Sequence, residues 1–264
     1  MRRIIMLLTS LVIASSAMAA EKATPFDGFY VGASGGVNIT QFDNLGYSTT
    51  GNRFVTTGTA HTPTSASAHN EKSFTNTGGV GLIDLGIGQT FDWFYLGAEL
   101  YTSFGNRTTE SVSASATAEG IHAQGTGTAA LNSFNYGLDF KPGVVIGKNT
   151  LAYLRIGAAF ANYTLSAAST SSNAATGQTY ISTSGSHSNT VLGWRIGLGV
   201  EEMLTAHIGI NFDYIYTMYN GNNATTFVTT NVNTEGTNTQ NEVAGNTSLR
   251  FQDQQVLLGI NYHF

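Results

Sequence analysis

Cysteine is absent from the 264 residues, proline occurs three times, and only 10% of the side chains are charged. Without cysteine there is no disulfide scaffold, no thiolate metal site and no cysteine nucleophile. A charge share roughly two-fifths of that in soluble domains removes their usual source of solubility. Eleven lysines and arginines stand against 16 aspartates and glutamates. That balance provides no basic face, so no nucleic-acid partner is expected. Long apolar runs are missing too, since none past residue 20 reaches the ~20 residues of a membrane helix. What the chain does have is 31 glycines and a 41% hydrophobic share, which exclude a disordered polymer. It is either soluble with few charges or crosses a membrane as strands.

The first residues bear on that choice. Arg2 and Arg3 precede a short apolar stretch at 4–13, and Ala17-Met18-Ala19 supplies small residues at −3 and −1 of a cleavage point. Residues 1–19 therefore read as a cleaved signal peptide, and 20–264 as one exported domain of a bacterium. Cleavage leaves 264 − 19 = 245 residues and a net charge of 9 − 16 = −7.

Beyond the signal the period is two, as in strands with unlike faces. Val256, Leu258, Ile260, Tyr262 and Phe264 alternate with Leu257, Gly259, Asn261 and His263. The same alternation marks strands near 28–40, 78–90, 94–104, 133–147, 152–160, 192–200 and 208–218, eight in all. Their second face is mostly glycine with isolated charges: Asp84, Glu99, Asp139, Lys141, Arg155, Arg195, Glu201 and Asp213. Small residues with charges of both signs suit the cramped interior of an eight-stranded barrel. The large apolar residues of the other face would then meet lipid. Each segment reaches the ~9–11 residues of a spanning strand. A closed barrel is also the only sheet whose backbone is fully paired in hydrocarbon.

The connections alternate between short and long. Short turns fall at 91–93, 148–150 and 203–206, whereas 41–77, 105–132, 168–188 and 220–248 are long and rich in Ser, Thr, Asn, Ala and Gly. This predicts an all-β, eight-stranded antiparallel transmembrane barrel with short periplasmic turns and four long extracellular loops. Their composition predicts mobile loops without packed cores. Phe26, Phe29, Tyr30, Phe91, Trp93, Phe94, Tyr95, Tyr153, Tyr214, Tyr216, Tyr262 and Phe264 are expected in aromatic girdles at the two interfaces.

Phe26-Asp27-Gly28-Phe29-Tyr30-Val31-Gly32 resembles the first strand of the small outer-membrane β-barrel proteins, the opacity-type surface antigens and the outer membrane protein A- and X-like barrels. The ending from Val256 to Phe264 resembles their last strand. Gly197-Leu198-Gly199-Val200-Glu201-Glu202 and Ile210-Asn211-Phe212-Asp213-Tyr214 resemble their sixth and seventh. The resemblance implies location in the cell outer membrane, among lipid and lipopolysaccharide. It also implies an assembly signal at Tyr262 and Phe264 read by the barrel-assembly machinery. Members of that group serve in adhesion, as surface antigens in immune evasion, in structural support and occasionally in ligand binding or enzymology. The resemblance makes host surface or matrix molecules the expected partners of loops 41–77, 105–132, 168–188 and 220–248.

The residues leave two rivals to a non-enzymatic barrel: a porin-like or ligand-binding transport barrel, and an outer-membrane lipid-modifying enzyme. For the enzyme the close cluster is Ser186-His187-Ser188. Adjacent strand residues point to opposite faces, and the nearest acids, Glu201 and Glu202, lie a strand length away. His61, His69, His122 and His187 show no paired metal-ligand spacing, so neither metal nor cofactor is expected. His207 and His263 read as rim residues. Asn-x-Ser/Thr triplets such as Asn223-Ala224-Thr225 read as composition. The eight charges read as a salt-bridged, closed lumen, with Arg155 paired to Asp139 or Glu201.

Overall fold

The computed structural model describes residues 24–57, 60–105, 108–234 and 237–264, with side chains described outside 57–63 and 220–238. The signal segment 1–19, the side chain of His61 and the triplet at Asn223 lie outside the described residues and side chains.

Nine strands run in chain order: β1 Gly28–Thr57, β2 Ala60–Phe91, β3 Phe94–Gly105, β4 Thr108–Ala118, β5 Ile121–Ile146, β6 Thr150–Asn173, β7 Thr179–Met203, β8 Ile208–Thr234 and β9 Thr237–His263. All pairings are antiparallel, in the order β3-β2-β1-β9-β8-β7-β6-β5-β4, and a β3–β5 pairing closes the ring. β3 and β4 pair with successive stretches of β5, Phe134–Val144 and then Ile121–Leu131, so they share one place. The wall thus has eight places.

Its outward face carries the apolar belt. Leu198 is 59% exposed and Leu258 61%, and Ile83, Leu100, Leu138, Ile156 and Phe212 also point out. A soluble sheet would turn this face to its core; only a lipid solvent makes the inversion favourable. The short turns cap one end. Asp92 (φ 61°) and Gly147 (φ 70°) adopt left-handed backbone there. Thr205 Oγ1 accepts the His207 and Ile208 amides, 3.2 and 3.0 Å, in the third turn.

The long connections differ from their expected character. Among the described residues they are mostly β-strand. β1 alone has 30 residues, where ~9–11 suffice to cross a bilayer. About two-thirds of its length therefore stands beyond the belt. Glu119 and Gly120, both at positive φ (50° and 80°), form a two-residue hairpin tip between β4 and β5.

Above the belt the ring divides. β2–β3 pairing stops at Val80↔Gly105 and β7–β8 pairing at Gly193↔Tyr219. Among the described pairings, what continues upward is two four-stranded sheets, β2-β1-β9-β8 and β4-β5-β6-β7. Bulges mark the transition in β1 (Phe42/Leu45), β5 (Leu131/Asn135) and β8 (Tyr219/Asn222). The extra residue in β1 moves its inward positions from even to odd numbers, which brings Leu45 and Tyr47 inside.

The two sheets form a packed head. Tyr47 crosses between them, its hydroxyl 2.7 Å from Ala168 O and 2.5 Å from Ser169 Oγ. Ser169 Oγ donates to Ala244 O at 3.2 Å, and Thr247 Oγ1 to Ser166 O at 3.1 Å. Arg53 Nη1 donates to Tyr180 OH at 2.8 Å while its guanidinium lies over that ring. Gly125 faces Tyr47, and a Cβ there would collide with the tyrosine hydroxyl. Small residues therefore let the two sheets approach.

A packed head changes the expected protease pattern. Arg53 pairs on both sides in its ladders and Lys72 lies in the β2 ladder. Trypsin added to intact cells is expected to spare both bonds, because a protease must first open the strand. Prompt cleavage at either, read by mass spectrometry, would mean that the head is not formed.

Candidate functional site

The belt level of the lumen is filled by charge. β3, β5, β6, β7 and β8 each point one or two ionisable side chains inward, at the alternate positions where glycine leaves room. Arg155, 1% exposed, lies at the centre. Its Nε and Nη2 meet the two oxygens of Asp213 at 3.0 and 3.3 Å, and its Nη1 donates to Glu99 and, at 3.5 Å, to Asp139. Lys141 Nζ lies 3.2 Å from Glu99 Oε2. Arg195 Nε stands 3.1 Å from Asp139 Oδ2, inside ion-pair distance but off the line of a hydrogen bond. Its guanidinium rests 3.8 Å above the Tyr101 ring. A Cβ at Gly157 would collide with Asp139, so the glycine is required by this packing.

Of the eight residues singled out in the sequence, six meet in this network. Glu201 lies apart, toward the short-turn end, where its Oε1 is 2.7 Å from His263 Nε2. Arg155 is paired with Asp213 and Glu99 as well as Asp139, and not with Glu201. Asp84 is buried, and neither of its carboxylate oxygens has a hydrogen-bond partner among the described residues. Tyr262 on β9 and Phe264 just after it point outward with their rings edge to face, 5.1 Å apart.

Several members were missed in the sequence. Tyr30 OH donates to Glu99 Oε2 at 2.9 Å and Tyr153 OH to Asp213 Oδ1 at 2.9 Å. Asn211 Nδ2 reaches Asp213 Oδ2 at 2.7 Å, and the His263 ring stacks on Tyr30. The expected girdle is corrected accordingly: Phe26, Tyr30, Tyr95 and Tyr153 are buried inside, while Phe29, Phe91, Trp93, Tyr214, Tyr262 and Phe264 face out. Parity held the signal for Tyr30 and Tyr153, which share their faces with Gly32 and Arg155. Phe26, Tyr95, Leu151, Tyr153 and Met203 form an apolar cluster at the short-turn end. Charged side chains above and aromatic packing below both point into the belt-level lumen.

Among the described side chains, no two histidine rings converge on a common point. His69 Nε2 lies 3.1 Å from Glu71 on an exposed stretch of β2. His122 Nδ1 is 2.7 Å from Thr117 Oγ1 and its Nε2 3.3 Å from Gln124. His207 Nδ1 lies 2.9 Å from His263 O. His187 sits in β7 with Ser186 and Ser188 on the opposite face, and Ser188 Oγ is 2.8 Å from Thr164 Oγ1. No group of three His, Asp or Glu side chains suited to a metal occurs among the described residues.

A closed antiparallel sheet with an outward apolar belt and a charged interior defines a transmembrane β-barrel. The chain belongs to the family of the outer membrane protein beta-barrel domain, whose model matches residues 6–264, and its place is the cell outer membrane. No curated protein sequence matches it. Solved structures similar in fold include Ail, the attachment invasion locus protein of Yersinia pestis, at 12% identity and a TM-score of 0.29 over 85% of this chain and 99% of that one. Neisserial surface protein A shows 12% identity and a TM-score of 0.34 over 90% and 98%. The outer membrane protease OmpT from Escherichia coli shows 8% identity and a TM-score of 0.35 over 92% and 99%.

Proposed function

We infer that this barrel is a non-enzymatic surface protein, a surface antigen or adhesin, whose spanning half anchors and whose two-sheet head makes contact. The packed head carries this reading: its hairpins stand well clear of the bilayer on Tyr47, Ser169, Thr247 and Arg53 cross-links, and the outward positions of β5, β6 and β7 there are mainly Ser, Thr, Gln and His. The Glu99–Arg155–Asp213 layer acts as a structural plug that closes the lumen. Tyr262 and Phe264 serve as the assembly signal for the barrel-assembly machinery, and lipopolysaccharide surrounds the outer rim. The head's partners are host surface or matrix molecules.

Two measurements test this reading. Folded protein should bind immobilised host matrix components, and a variant with its hairpins cut back to the belt should not, although it still folds. The monomer should give no steady conductance in a planar bilayer. A stable open channel, with no head-dependent binding, would favour the porin-like reading instead. Loss of acyl chains from outer-membrane lipid that depends on His187 would make it an enzyme.

A further inference from the structure

Just above the Arg155 layer, where the ring divides, the lumen holds a small cavity of about 30 Å³, room for one ammonium-sized group. Asn38 and Thr40 of β1 and Asp253 and Gln255 of β9 line one wall. Asn132 and Ser133, exposed at the β5 bulge, mark the open side. Asp253 is 5% exposed. The lumenal cations are engaged elsewhere: Lys141 on Glu99, Arg155 on Asp213, and Arg195 against Asp139. Asp253 therefore sits in the wall as an acid without an ion-pair partner among the described residues.

Hydrogen bonding around this acid fixes what the cavity presents. Asp253 Oδ1 accepts from Thr40 Oγ1 at 2.9 Å and Asn38 Nδ2 at 3.3 Å; Oδ2 accepts from Gln255 Nε2 at 2.8 Å. A carboxylate only accepts, so both amide nitrogens must face it and both amide oxygens must turn away. Those oxygens, Asn38 Oδ1 and Gln255 Oε1, are buried without a donor among the described residues, and Gln255 is 4% exposed. Buried acceptors left unpaired are costly and call for a partner. The cavity thus offers a carboxylate outside any ion pair among the described residues and two waiting acceptors.

The complement is a compact cation rich in N–H donors. A divalent metal would seek the carboxylate directly among six or more oxygens, but three protein donors already occupy it. A quaternary ammonium has charge without donors, and a polyol has donors without charge. We propose that this cavity binds a primary ammonium group on a slender alkyl chain, such as the end of an aliphatic diamine, entering past Asn132 and Ser133. Asn38 Oδ1 and Gln255 Oε1 accept its N–H bonds, and Asp253 supplies the charge.

The test uses the refolded mature chain in detergent, titrated calorimetrically with 1,4-diaminobutane. Saturable binding is expected. It should weaken at least about tenfold in Asp253→Asn and in Gln255→Leu, each checked for an unchanged urea midpoint. If neither variant folds, the wild-type ligand series decides: butane-1,4-diol, tetramethylammonium and calcium should not compete. In nanodiscs, competition by phosphatidylethanolamine but not phosphatidylcholine would identify a lipid headgroup as the source of the ammonium. Absence of saturable binding, equal affinity in a folded Asp253→Asn, or displacement by calcium or the diol would overturn the proposal.

Discussion

Replacing Arg155 with leucine should cost the barrel ~3–5 kcal/mol, seen as a fall in its urea midpoint. The magnitude follows from what is left behind. Arg155 is the shared counter-charge of Asp213, Glu99 and Asp139, and its removal leaves three carboxylates in a buried layer with Lys141 and Arg195 alone to balance them. Lysine at the same position should recover only part of the loss. It has no planar fork to meet both oxygens of Asp213. A second change, Asp213→Asn, should restore stability to Arg155→Leu more than it does to the parent, because it removes the charge most directly orphaned. An unchanged midpoint in Arg155→Leu would show that the layer is wet, and the plug reading would fail with it.

Arginine in place of Leu198 should cost ~2–4 kcal/mol if the position lies near the bilayer midplane. Leu198 stands among Ile196 and Val200 on the outward face of β7, paired with Leu154 and Tyr214. The control lies on the same strand. Ser184 faces the same way but stands fourteen residues further along, about 46 Å at strand rise, and is exposed in the head. Arginine there should change the midpoint by less than about 0.5 kcal/mol. Equal tolerance at the two positions would be incompatible with a lipid-facing belt. Depth, not exposure, separates them.

Much of the site was legible from parity. Glycine alternating with Asp213, Arg195 and Arg155 marked an inward face, because large outward apolar residues left nowhere else for charge to go. The pairing partners were not legible. Arg155 reaches Glu99 across the lumen from a strand two places away in the ring, whereas strand adjacency suggested the neighbours Asp139 or Glu201. His263 was hidden differently: as the penultimate residue it resembled a rim cap, yet the closure of β1 on β9 places it over Tyr30 and against Glu201.

The head shows the limit more sharply. Between 121 and 131 the inward residues are Ile121, Ala123, Gly125, Gly127, Ala129 and Leu131, and the residues between them are mainly His, Gln and Thr. Alternation is present, but alanine and glycine carry too little hydrophobic contrast to reveal it, so the segment reads as low-complexity loop. The same smallness lets the second sheet approach, and a single Tyr47 then fills the gap. The sequence by itself determined the belt, the short-turn end and the inward charges, because each follows from residue type and a period of two. Only the tertiary structure decided which charges meet, where the ring divides and that the long hairpins pack. Those depend on ring closure and on bulges that reset the register, and neither is a local property of the chain.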